Sequence, residues 1–394
     1  MKKCKSQDTF IMDKKKILYI LNSTAMGGAT ISFLNLVSGV SQNGYDFVVV
    51  APKEDKKLQK QIAEIGGSYR TWGGINSCYY RRNLINPLNL IRTLLRVFKV
   101  YIIKARSLKP LLDIVREEKP DLIHTNVGVI QEGYFVARFL KIPHVWHLRE
   151  YQDKDFNLQV LPSKQTFCKM LRKSNVITIT EDILKYFGLD TVNTARNIYN
   201  GILHEDEVLN ILPKEKYFLC ASRISSEKGH DGVIRQFAKF HSVHRDYSLV
   251  ILGFGDNGYI DYLKEFIDTL ECKDAIKWIG YTEQVTDYMS KAKALIVNSQ
   301  FEGFGRMTAE ACFNSCIVIG RNTGGTKEIL EKTGGFLFST DDGMLQCMND
   351  VAEMSDDEYA KISNAACNTA VRLFSIEKNI EQTCDLYQSI LRNN

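Results

Sequence analysis

Two glutamates, Glu302 and Glu310, stand eight positions apart in the stretch EGFGRMTAE. Gly303 and Gly305 follow the first glutamate, and glycines let a loop bring its backbone N–H groups close to a ligand. Residues that favour helix surround the second glutamate, so we expect it to lie on a helix. The arrangement predicts one carboxylate on a loop and one on a helix, both directed at the same ligand.

Two basic side chains are placed to hold an anionic part of that ligand. Arg223 and Lys228 lie in SRISSEKG, residues 222–229, directly after the apolar run YFLCA. Arginine offers a planar fork of donors to phosphate oxygens, and lysine adds a mobile point charge. The pair therefore predicts a site for two linked phosphates, the alternative being an ordinary solvated loop.

A glycine pair, Gly27 and Gly28, offers a second place for phosphate near the start of the chain. It follows the apolar run ILYIL and precedes Ile31, Leu34 and Val37, which have helical spacing. Glycines expose backbone N–H groups, and the N-terminus of a following helix favours negative charge. The pattern fits either a phosphate-binding turn or a plain turn between a strand and a helix.

Two other motifs resemble known ligand sites but lack part of the pattern. Residues 253–258 read G-x-G-x-x-G, but a dinucleotide site needs an acid about twenty residues later, at the end of the next strand. Here that strand ends at Gly280 and Tyr281, which argues against NAD. Asp153 and Asp155 form a D-x-D triplet that does not end an apolar strand. We interpret it as a solvated charge cluster and expect no metal site.

The composition is that of a globular protein of about two domains. The chain has 394 residues, of which 44% are hydrophobic and 25% charged. Its net charge of +5 is too small to indicate a nucleic-acid partner. The ten cysteines include no C-x-x-C pair, so we expect buried free thiols in a reducing cytoplasm. We expect neither a signal peptide nor a transmembrane helix, because no apolar stretch is long enough.

Apolar runs typical of buried strands alternate with helical patterns along the whole chain. Such alternation predicts parallel sheets with helices on both faces. We therefore expect an α/β fold of two Rossmann-like, doubly wound domains that face each other across a cleft, with the ligand in that cleft. The runs fall at residues 16–23, 46–52, 121–126, 144–148, 175–180, 217–222, 248–255, 275–280, 294–299 and 316–320.

A basic stretch, residues 70–109, carries nine Lys or Arg and no Asp or Glu. Pro87 and Pro110 bracket a predicted amphipathic helix within it. One side of this helix is apolar, and the other carries the basic residues Arg92, Arg96, Lys99 and Arg106. The helix fits either of two roles: it packs its apolar side on the sheet, or it attaches to an anionic membrane surface.

Taken together, these motifs occur in an order that resembles the retaining glycosyltransferases of the GT-B fold, family 4 (glycosyl transferases group 1). The resemblance covers about residues 15–394. It is most specific between residues 217 and 330, where R-x4-K-G and E-G-F-G-x4-E-A occur together. It implies that Glu302 contacts the hydroxyls of the donor sugar and that Glu310 holds the ribose of the nucleotide.

The resemblance also implies roles for the remaining motif residues. It assigns the diphosphate to Arg223 and Lys228, with the turn of Gly27 and Gly28 closing on the phosphate from the other domain. The backbone amides of Gly303, Phe304 and Gly305 are implied to approach the sugar and phosphate.

Two histidines that follow apolar residues also receive roles from the resemblance. The resemblance implies that His147, in VWHLRE, lies beside the transferred sugar, and that His147 and Glu302 are the catalytic residues. His124, in DLIHTN, ranks second, as a structural or acceptor-side residue. Arg306 departs from the family, which often has a small or apolar residue at this position.

The resemblance, with the break in the alternation at the polar segment 199–216, gives the domain boundaries. We expect a disordered tail over residues 1–13 and an N-terminal Rossmann-like, acceptor-binding domain over residues 14–205. A C-terminal domain that binds the nucleotide sugar is expected over residues 206–375. The last residues, 376–394, are expected to form a helix that returns to the N-terminal domain.

The implied function is transfer of a sugar, with retention and without a metal or other cofactor, from a UDP- or GDP-sugar to a glycan or lipid-linked acceptor. Such a step belongs to the synthesis of cell-surface polysaccharide or glycolipid. The expected location is the cytoplasm, with possible peripheral attachment to an anionic membrane surface. Two alternatives are a sugar-nucleotide epimerase and a catalytically inactive relative that serves as a partner protein.

Overall fold

The computed structural model describes residues 14–83, 85–208 and 212–392. The predicted disordered tail, residues 1–13, therefore lies outside the described residues.

The first half of the chain forms a parallel sheet with helices on both faces. The strands of this half are β1 (Lys16–Ile20), β2 (Asp46–Ala51), β3 (Ser68–Thr71), β4 (Cys78–Tyr80), β5 (Leu122–Thr125), β6 (His144–Leu148), β7 (Leu158–Val160), β8 (Asn175–Thr178) and β9 (Ala195–Asn197). The strand order of the sheet is β3-β2-β1-β5-β6-β8-β9, and β4 pairs antiparallel with β7 in a separate ribbon. The helices are α1 (Gly28–Gln42), α2 (Lys56–Glu64), α3 (Pro87–Glu118), α4 (Glu132–Leu140), α5 (Asp153–Phe156), α6 (Lys164–Leu171) and α7 (Glu181–Tyr186).

The second half repeats the same architecture. Its strands are β10 (Glu215–Ala221), β11 (Ser248–Leu252), β12 (Ile276–Gly280), β13 (Ala292–Val297), β14 (Ile317–Arg321) and β15 (Phe336–Phe338). They form a sheet with the order β12-β11-β10-β13-β14-β15, again all parallel. Its helices are α8 (His230–His241), α9 (Asn257–Asp268), α10 (Val285–Lys291), α11 (Arg306–Phe313), α12 (Gly324–Thr333), α13 (Asp341–Glu353), α14 (Asp356–Phe374) and α15 (Ile376–Arg392).

The predicted fold class is confirmed by these two sheets. Every apolar run named from the sequence contains a strand, and the central strands are buried on both faces, as parallel sheets require. The edge strands β3, β9 and β15 were not predicted, and each is only three or four residues long. In both halves, the loops at the carboxyl ends of the strands meet at one cleft.

The last helix, α15, crosses back and packs on α1 of the first half. The two helices approach closely at Gly39, where an added Cβ would lie 1.9 Å from the Ile380 Cδ1 atom. Behind them, the Tyr19 and Tyr387 hydroxyls are 3.2 Å apart in the core. The last helix, α15, is therefore packed against α1 and the sheet of the first half.

A second contact between the halves lies beside the cleft, at Glu328 of α12. Its carboxylate accepts hydrogen bonds from the backbone N–H groups of Glu181 and Asp182, at 2.8 and 2.9 Å, where α7 begins. It also accepts one from the Tyr199 hydroxyl at 2.8 Å. A carboxylate at a helix N-terminus is stabilised both by the free N–H groups and by the helix dipole. This contact fixes α12 of one half against α7 of the other.

The helix in the basic stretch differs from its prediction in length. It begins at Pro87, as expected, but continues through Pro110 to Glu118. A proline inside a helix removes one backbone hydrogen bond. Here Leu111 and Val115, which are buried directly after it, hold the last turns against the sheet. Tertiary packing therefore outweighs the local preference of Pro110 to end the helix.

The apolar side of α3 does not pack on the sheet. Leu88, Ile91, Leu95 and Phe98 are all exposed, with Phe98 66% accessible. The helix instead contacts the domain through a narrow stripe that includes Thr93 and Val100, both buried. Its first half thus presents apolar and basic side chains to solvent. Within the described residues, no helix combines the length and the hydropathy that crossing a membrane requires.

Candidate active site

A cavity of about 210 Å³ lies in the cleft between the two halves and is lined by most of the predicted donor-binding residues. Both halves contribute to it. The loops after β10 and β13, with the start of α11, form one wall, and α1 and the loop after β6 form the other. Predicted residues in the lining are Gly28, Arg223, Lys228, Glu302, Gly303, Phe304 and Gly305. The structure thus brings together residues that are far apart in the sequence.

Glu302 lies on the loop after β13, as its glycine neighbours predicted. Its Oε1 atom accepts a hydrogen bond from the Ser299 hydroxyl at 2.7 Å and pairs with the Lys228 Nζ atom at 2.5 Å. The side chains of Lys228 and Glu302 are only 17% and 22% accessible. Partial burial strengthens such an ion pair relative to one on an open surface. The pair therefore places the carboxylate that is predicted to bind the donor sugar next to the cation that is predicted to bind the diphosphate.

The glycine loop after Glu302 is shaped by close backbone contacts. Gly305 has a φ of +89°, which favours glycine, and it directly precedes the first residue of α11. The backbone N–H of Gly325 donates to the Glu302 carbonyl oxygen at 2.8 Å. A Cβ at Gly325 would lie 2.0 Å from the Phe304 carbonyl oxygen. The loop therefore holds its conformation because another glycine, at the start of α12, lets it approach.

Glu310 lies one turn into α11, on a helix as predicted, but outside the cavity lining. Its Oε1 atom pairs with the Arg306 Nε atom at 2.7 Å. The Arg306 guanidinium also reaches the first half, at 3.4 Å from the Ser32 hydroxyl and 3.4 Å from the Ile202 carbonyl oxygen. Arg306, the residue that departs from the family pattern, thus connects the predicted ribose-binding glutamate to the opposite wall.

Arg223 and the glycine pair complete the predicted phosphate site. Arg223 is exposed and pairs with Glu227 at 2.9 Å, one turn along the same loop. Gly27 caps α1 without a side-chain hydrogen bond, and Gly28 starts the helix at the cavity. An added Cβ at Gly28 would make only an ordinary 3.7 Å contact with the Arg306 side chain. Sterically, this turn therefore tolerates a side chain, and the role of its glycines stays a prediction.

The two histidines lie beneath the cleft and are fully buried. His147 Nδ1 is 3.2 Å from His124 Nε2, and His124 Nδ1 is 2.6 Å from the Tyr387 hydroxyl of α15. The Arg149 Nη2 atom, which can only donate, lies 3.5 Å from His147 Nδ1. His147 Nδ1 therefore acts as the acceptor, and its proton resides on Nε2. Burial, with Arg149 next in importance, lowers the pKa of His147 well below its usual value, so the ring is neutral.

The same reasoning fixes the rest of this chain of hydrogen bonds. His124 Nε2 donates to His147, so His124 Nδ1 accepts from the Tyr387 hydroxyl, which in turn accepts from Tyr19. No described group accepts the N–H of His147 Nε2, although this atom is buried. His147 is therefore a neutral donor whose orientation is set from α15. The sequence ranked His124 second, and the structure places it between Tyr387 and His147.

Replacing Tyr387 by phenylalanine is expected to lower the free energy of unfolding by about 1–3 kcal/mol, because it leaves the buried Nδ1 of His124 without a donor. Chemical denaturation monitored by tryptophan fluorescence measures this change. Tyr45→Phe is the control. The Tyr45 ring packs on Tyr387, but within the described residues the Tyr45 hydroxyl forms no hydrogen bond. Equal stability of the two variants would show that the Tyr387 hydroxyl does not hold the histidines.

Three charged residues that sequence reasoning did not assign follow β6. Arg149 and Asp155 line the cavity, and Glu150 is buried behind them. Asp155, which we interpreted as part of a solvated cluster, is only partly exposed and lines the cavity. Its carboxylate accepts a hydrogen bond from the Tyr151 backbone N–H at 2.8 Å, and burial raises its pKa to about 6. The signal available in the sequence was position, since these residues follow the carboxyl end of a buried strand.

Within the described residues, no group of three or more His, Cys, Asp or Glu side chains is arranged to hold a metal ion. The cations of the cavity are Arg149, Arg223, Lys228 and Arg306. Together with the N-termini of α1 and α11, they make the cleft a site for a ligand with phosphate groups.

Comparison with known proteins gives two family models that match adjoining parts of the chain. Residues 26–202 match Glycosyltransferase Family 4, and residues 203–368 match Glycosyl transferases group 1. An N-acetylgalactosamine-N,N'-diacetylbacillosaminyl-diphospho-undecaprenol 4-alpha-N-acetylgalactosaminyltransferase of Campylobacter jejuni is 26% identical over 202 residues. That alignment covers 49% of this chain and 53% of the relative, so it spans about half the length of each. A poly(glycerol-phosphate) alpha-glucosyltransferase of Bacillus subtilis is 25% identical over 232 residues, which cover 57% of this chain and 32% of the length of that relative.

Solved structures agree with these matches at the level of the fold. The Anabaena protein Alr3699/HepE, crystallised in complex with UDP, superposes with a TM-score of 0.74 at 18% identity. The superposition covers 95% of this chain and 100% of that one. A glycosyltransferase from Rickettsia africae gives a TM-score of 0.75 at 18% identity, covering 97% and 100%. With the paired parallel sheets and the motifs in the cleft, these matches show that the chain belongs to the GT-B glycosyltransferases of family 4, glycosyl transferases group 1.

Proposed function

We propose that this glycosyltransferase moves a sugar from a UDP- or GDP-sugar to a glycan or lipid-linked acceptor, with retention and without a metal. The observation that carries the proposal is the Lys228–Glu302 pair, which joins a phosphate-binding cation to a carboxylate on the glycine loop. UDP in a structural neighbour supports a uridine donor. The names of two relatives, which include an undecaprenol diphosphate and a poly(glycerol phosphate), support an acceptor on a lipid or polymer.

The chemistry requires stabilisation of the departing nucleoside diphosphate and a fixed orientation of the sugar. Lys228 and Arg223 supply positive charge for the departing phosphates, together with the N-terminus of α11, so no metal is needed for this role. Glu302 accepts hydrogen bonds from sugar hydroxyls and thereby orients the ring for attack by the acceptor hydroxyl. Retention is proposed from the family resemblance.

The experiment is a panel of UDP- and GDP-sugars incubated with the protein, with release of the free nucleotide as the readout. Slow hydrolysis of one donor, lost in Glu302→Gln, supports a transferase. A donor returned with an altered sugar still attached to its nucleotide would indicate an epimerase. If no nucleotide sugar binds, the proposed activity is wrong. Once an acceptor is found, the anomeric configuration of the product, read by NMR, tests retention.

We further propose that α3 attaches the protein to an anionic membrane surface on the cytosolic side, where a lipid-linked acceptor is available. Its first half exposes Leu95 and Phe98 beside Arg92 and Lys99, while Arg96 is half-buried. Exposed apolar side chains flanked by basic ones are typical of helices that lie in the interface of a bilayer. Each basic residue near an anionic surface contributes roughly 1 kcal/mol.

Reversing three of these charges, in Arg92→Glu, Arg96→Glu and Lys99→Glu combined, is expected to abolish sedimentation with phosphatidylglycerol vesicles at low salt. The physical reason is the loss of attraction to the anionic headgroups. The matched control reverses Lys56, Lys57 and Lys60 of α2, which are also exposed, and changes the net charge equally. Sedimentation that survives the first triple variant, or that both variants lose alike, argues against attachment through α3.

A further inference from the structure

Arg149 stands at the carboxyl end of β6, on the wall of the cavity that the first half provides. Its side chain is almost entirely buried, with 8% of the residue accessible. Its backbone carbonyl faces the glycine loop of the other half, since a Cβ at Gly303 would lie 3.1 Å from that oxygen. Arg149 is therefore both deep in the cleft and adjacent to the loop that is proposed to hold the donor sugar.

The hydrogen-bond partners of this guanidinium are neutral. Nε and Nη2 donate to the Asn126 Oδ1 atom at 3.1 and 2.9 Å, and Nη1 donates to the Asn200 Oδ1 atom at 2.7 Å. Nη2 also donates to the Nδ1 atom of the neutral His147 ring, at 3.5 Å. The adjacent carboxylate, Glu150, accepts instead from the Gly128 backbone N–H at 2.7 Å. Burial, with the charge of Asp155 next in importance, raises the pKa of Glu150 to about 8, and Arg149 opposes this shift, so Glu150 is a neighbouring charge of Arg149 without a hydrogen bond to it.

The other cations of the cavity are different in this respect. Arg223 pairs with Glu227, Lys228 with Glu302, and Arg306 with Glu310. Among the cavity cations within the described residues, only Arg149 forms no salt bridge, although the Glu150 carboxyl lies near enough to interact with its charge. A buried charge without a hydrogen-bonded counter-ion is costly, so a ligand that supplies a negative charge here would be stabilised by Arg149.

The geometry also leaves one donor for such a ligand. A guanidinium carries five N–H groups; the bonds to the two asparagines use three of them, and the contact of Nη2 with His147 Nδ1 uses a fourth. The second N–H of Nη1 is left to donate to a phosphate or carboxylate oxygen, in a hydrogen bond strengthened by the charge. The asparagines hold the fork rigid, which lowers the entropy lost when a ligand binds.

We propose that Arg149 binds an oxyanion of the substrate pair, so that the wall formed by the first half holds an anion site opposite Arg223 and Lys228. The oxyanion belongs either to the diphosphate of the donor or to a phosphate or carboxylate of the acceptor. The site rests on the proposed function, because the two sources are the two substrates of sugar transfer. In the donor case, Arg149 gains interaction energy as the phosphate–sugar bond breaks and charge develops on the leaving group.

The experiment compares wild type, Arg149→Gln and Asn126→Asp. Calorimetric titration with UDP and with GDP measures the affinity for the nucleotide, which is the donor arm of the experiment. Titration of the UDP- or GDP-saturated protein with inorganic phosphate measures the acceptor arm. Asn126→Asp keeps the guanidinium but gives it an internal carboxylate, so it keeps the test valid if Arg149→Gln fails to fold. Lys239→Gln, which removes one exposed positive charge on α8, is the matched control.

We expect both variants, but not the control, to weaken one arm by about 10- to 100-fold, as loss of hydrogen bonds to a charged group predicts. Weaker nucleotide binding assigns the site to the donor phosphates. Unchanged nucleotide binding with loss of phosphate binding assigns it to the acceptor. If wild type binds nucleotide and neither arm changes in the variants, Arg149 is structural and the inference is overturned. Failure of wild type to bind any nucleotide would instead contradict the proposed function.

Discussion

Glu302→Gln is expected to lower kcat/KM for sugar transfer by about 100-fold, since a hydrogen bond to a charged group contributes up to about 3 kcal/mol and each 1.4 kcal/mol is tenfold. The carboxylate is held by Ser299 and Lys228 at the mouth of the glycine loop. An amide of the same shape accepts from sugar hydroxyls at one atom only and carries no charge. The variant therefore removes orientation of the sugar while it leaves the fold of the loop intact.

This substitution makes a second, opposite prediction for nucleotide binding. Glu302 neutralises Lys228 in the ion pair between them. Glutamine releases that lysine, so the affinity for UDP or GDP is expected to stay constant or to rise. Steady-state kinetics and calorimetry on the same preparation test the two effects together, with Glu64→Gln on the exposed face of α2 as control. Parallel loss of transfer and of nucleotide binding would mean that Glu302 shapes the nucleotide site and does not act on the sugar.

Local pattern was enough to predict the parts of the site that lie on single loops. Glu302 and Glu310 were placed on a loop and a helix because glycines and helix formers are local signals. Arg223 and Lys228 were placed at a strand end, because a buried apolar run preceded them. The carboxyl ends of parallel strands converge, so the convergence of these residues followed from the fold class.

The properties of other residues depend on partners that are distant in sequence, which no local pattern contains. Asp155 looked solvated, but its burial comes from the packing of its loop against the other half. The hydrogen bonds of Arg149 are made to Asn126 and Asn200, which are distant in the sequence, so its lack of a salt bridge is not visible in the local pattern. The path of α3 through Pro110 likewise depends on where Leu111 and Val115 pack. In each case, tertiary contacts outweigh the preference of the isolated segment.

The ion pairs in the cleft couple the cations of the proposed phosphate site to the two glutamates. Lys228, which we propose to bind phosphate, pairs with Glu302, which we propose to bind the sugar; Arg306 pairs with Glu310, which the resemblance predicts to hold the ribose. Binding of a nucleotide sugar offers phosphate to the cations and hydroxyls to the carboxylates at the same time. Each pair can then separate without leaving an unpaired charge, which lowers the cost of opening the site.

Lys228→Gln provides the strongest test of that exchange, with an expected loss of UDP or GDP affinity of about 100-fold, at the upper range for charged hydrogen bonds. The lysine is largely buried, so salt screens it weakly, and the loss is expected to persist at high ionic strength. Lys228→Arg, which keeps the charge, is expected to retain most of the affinity.

The double variant Lys228→Gln with Glu302→Gln then shows whether the two residues act on one ligand. Glu302 without its lysine keeps a partly buried carboxylate next to the phosphates, so the single lysine variant carries a repulsion that the double variant lacks. Nucleotide affinity is therefore expected to recover partly in the double variant, by an interaction energy of about 0.5–3 kcal/mol, as residues in contact typically show. Strictly additive effects on affinity would mean that the pair seen in the structure does not govern the phosphate site, and that Lys228 and Glu302 contribute to binding independently.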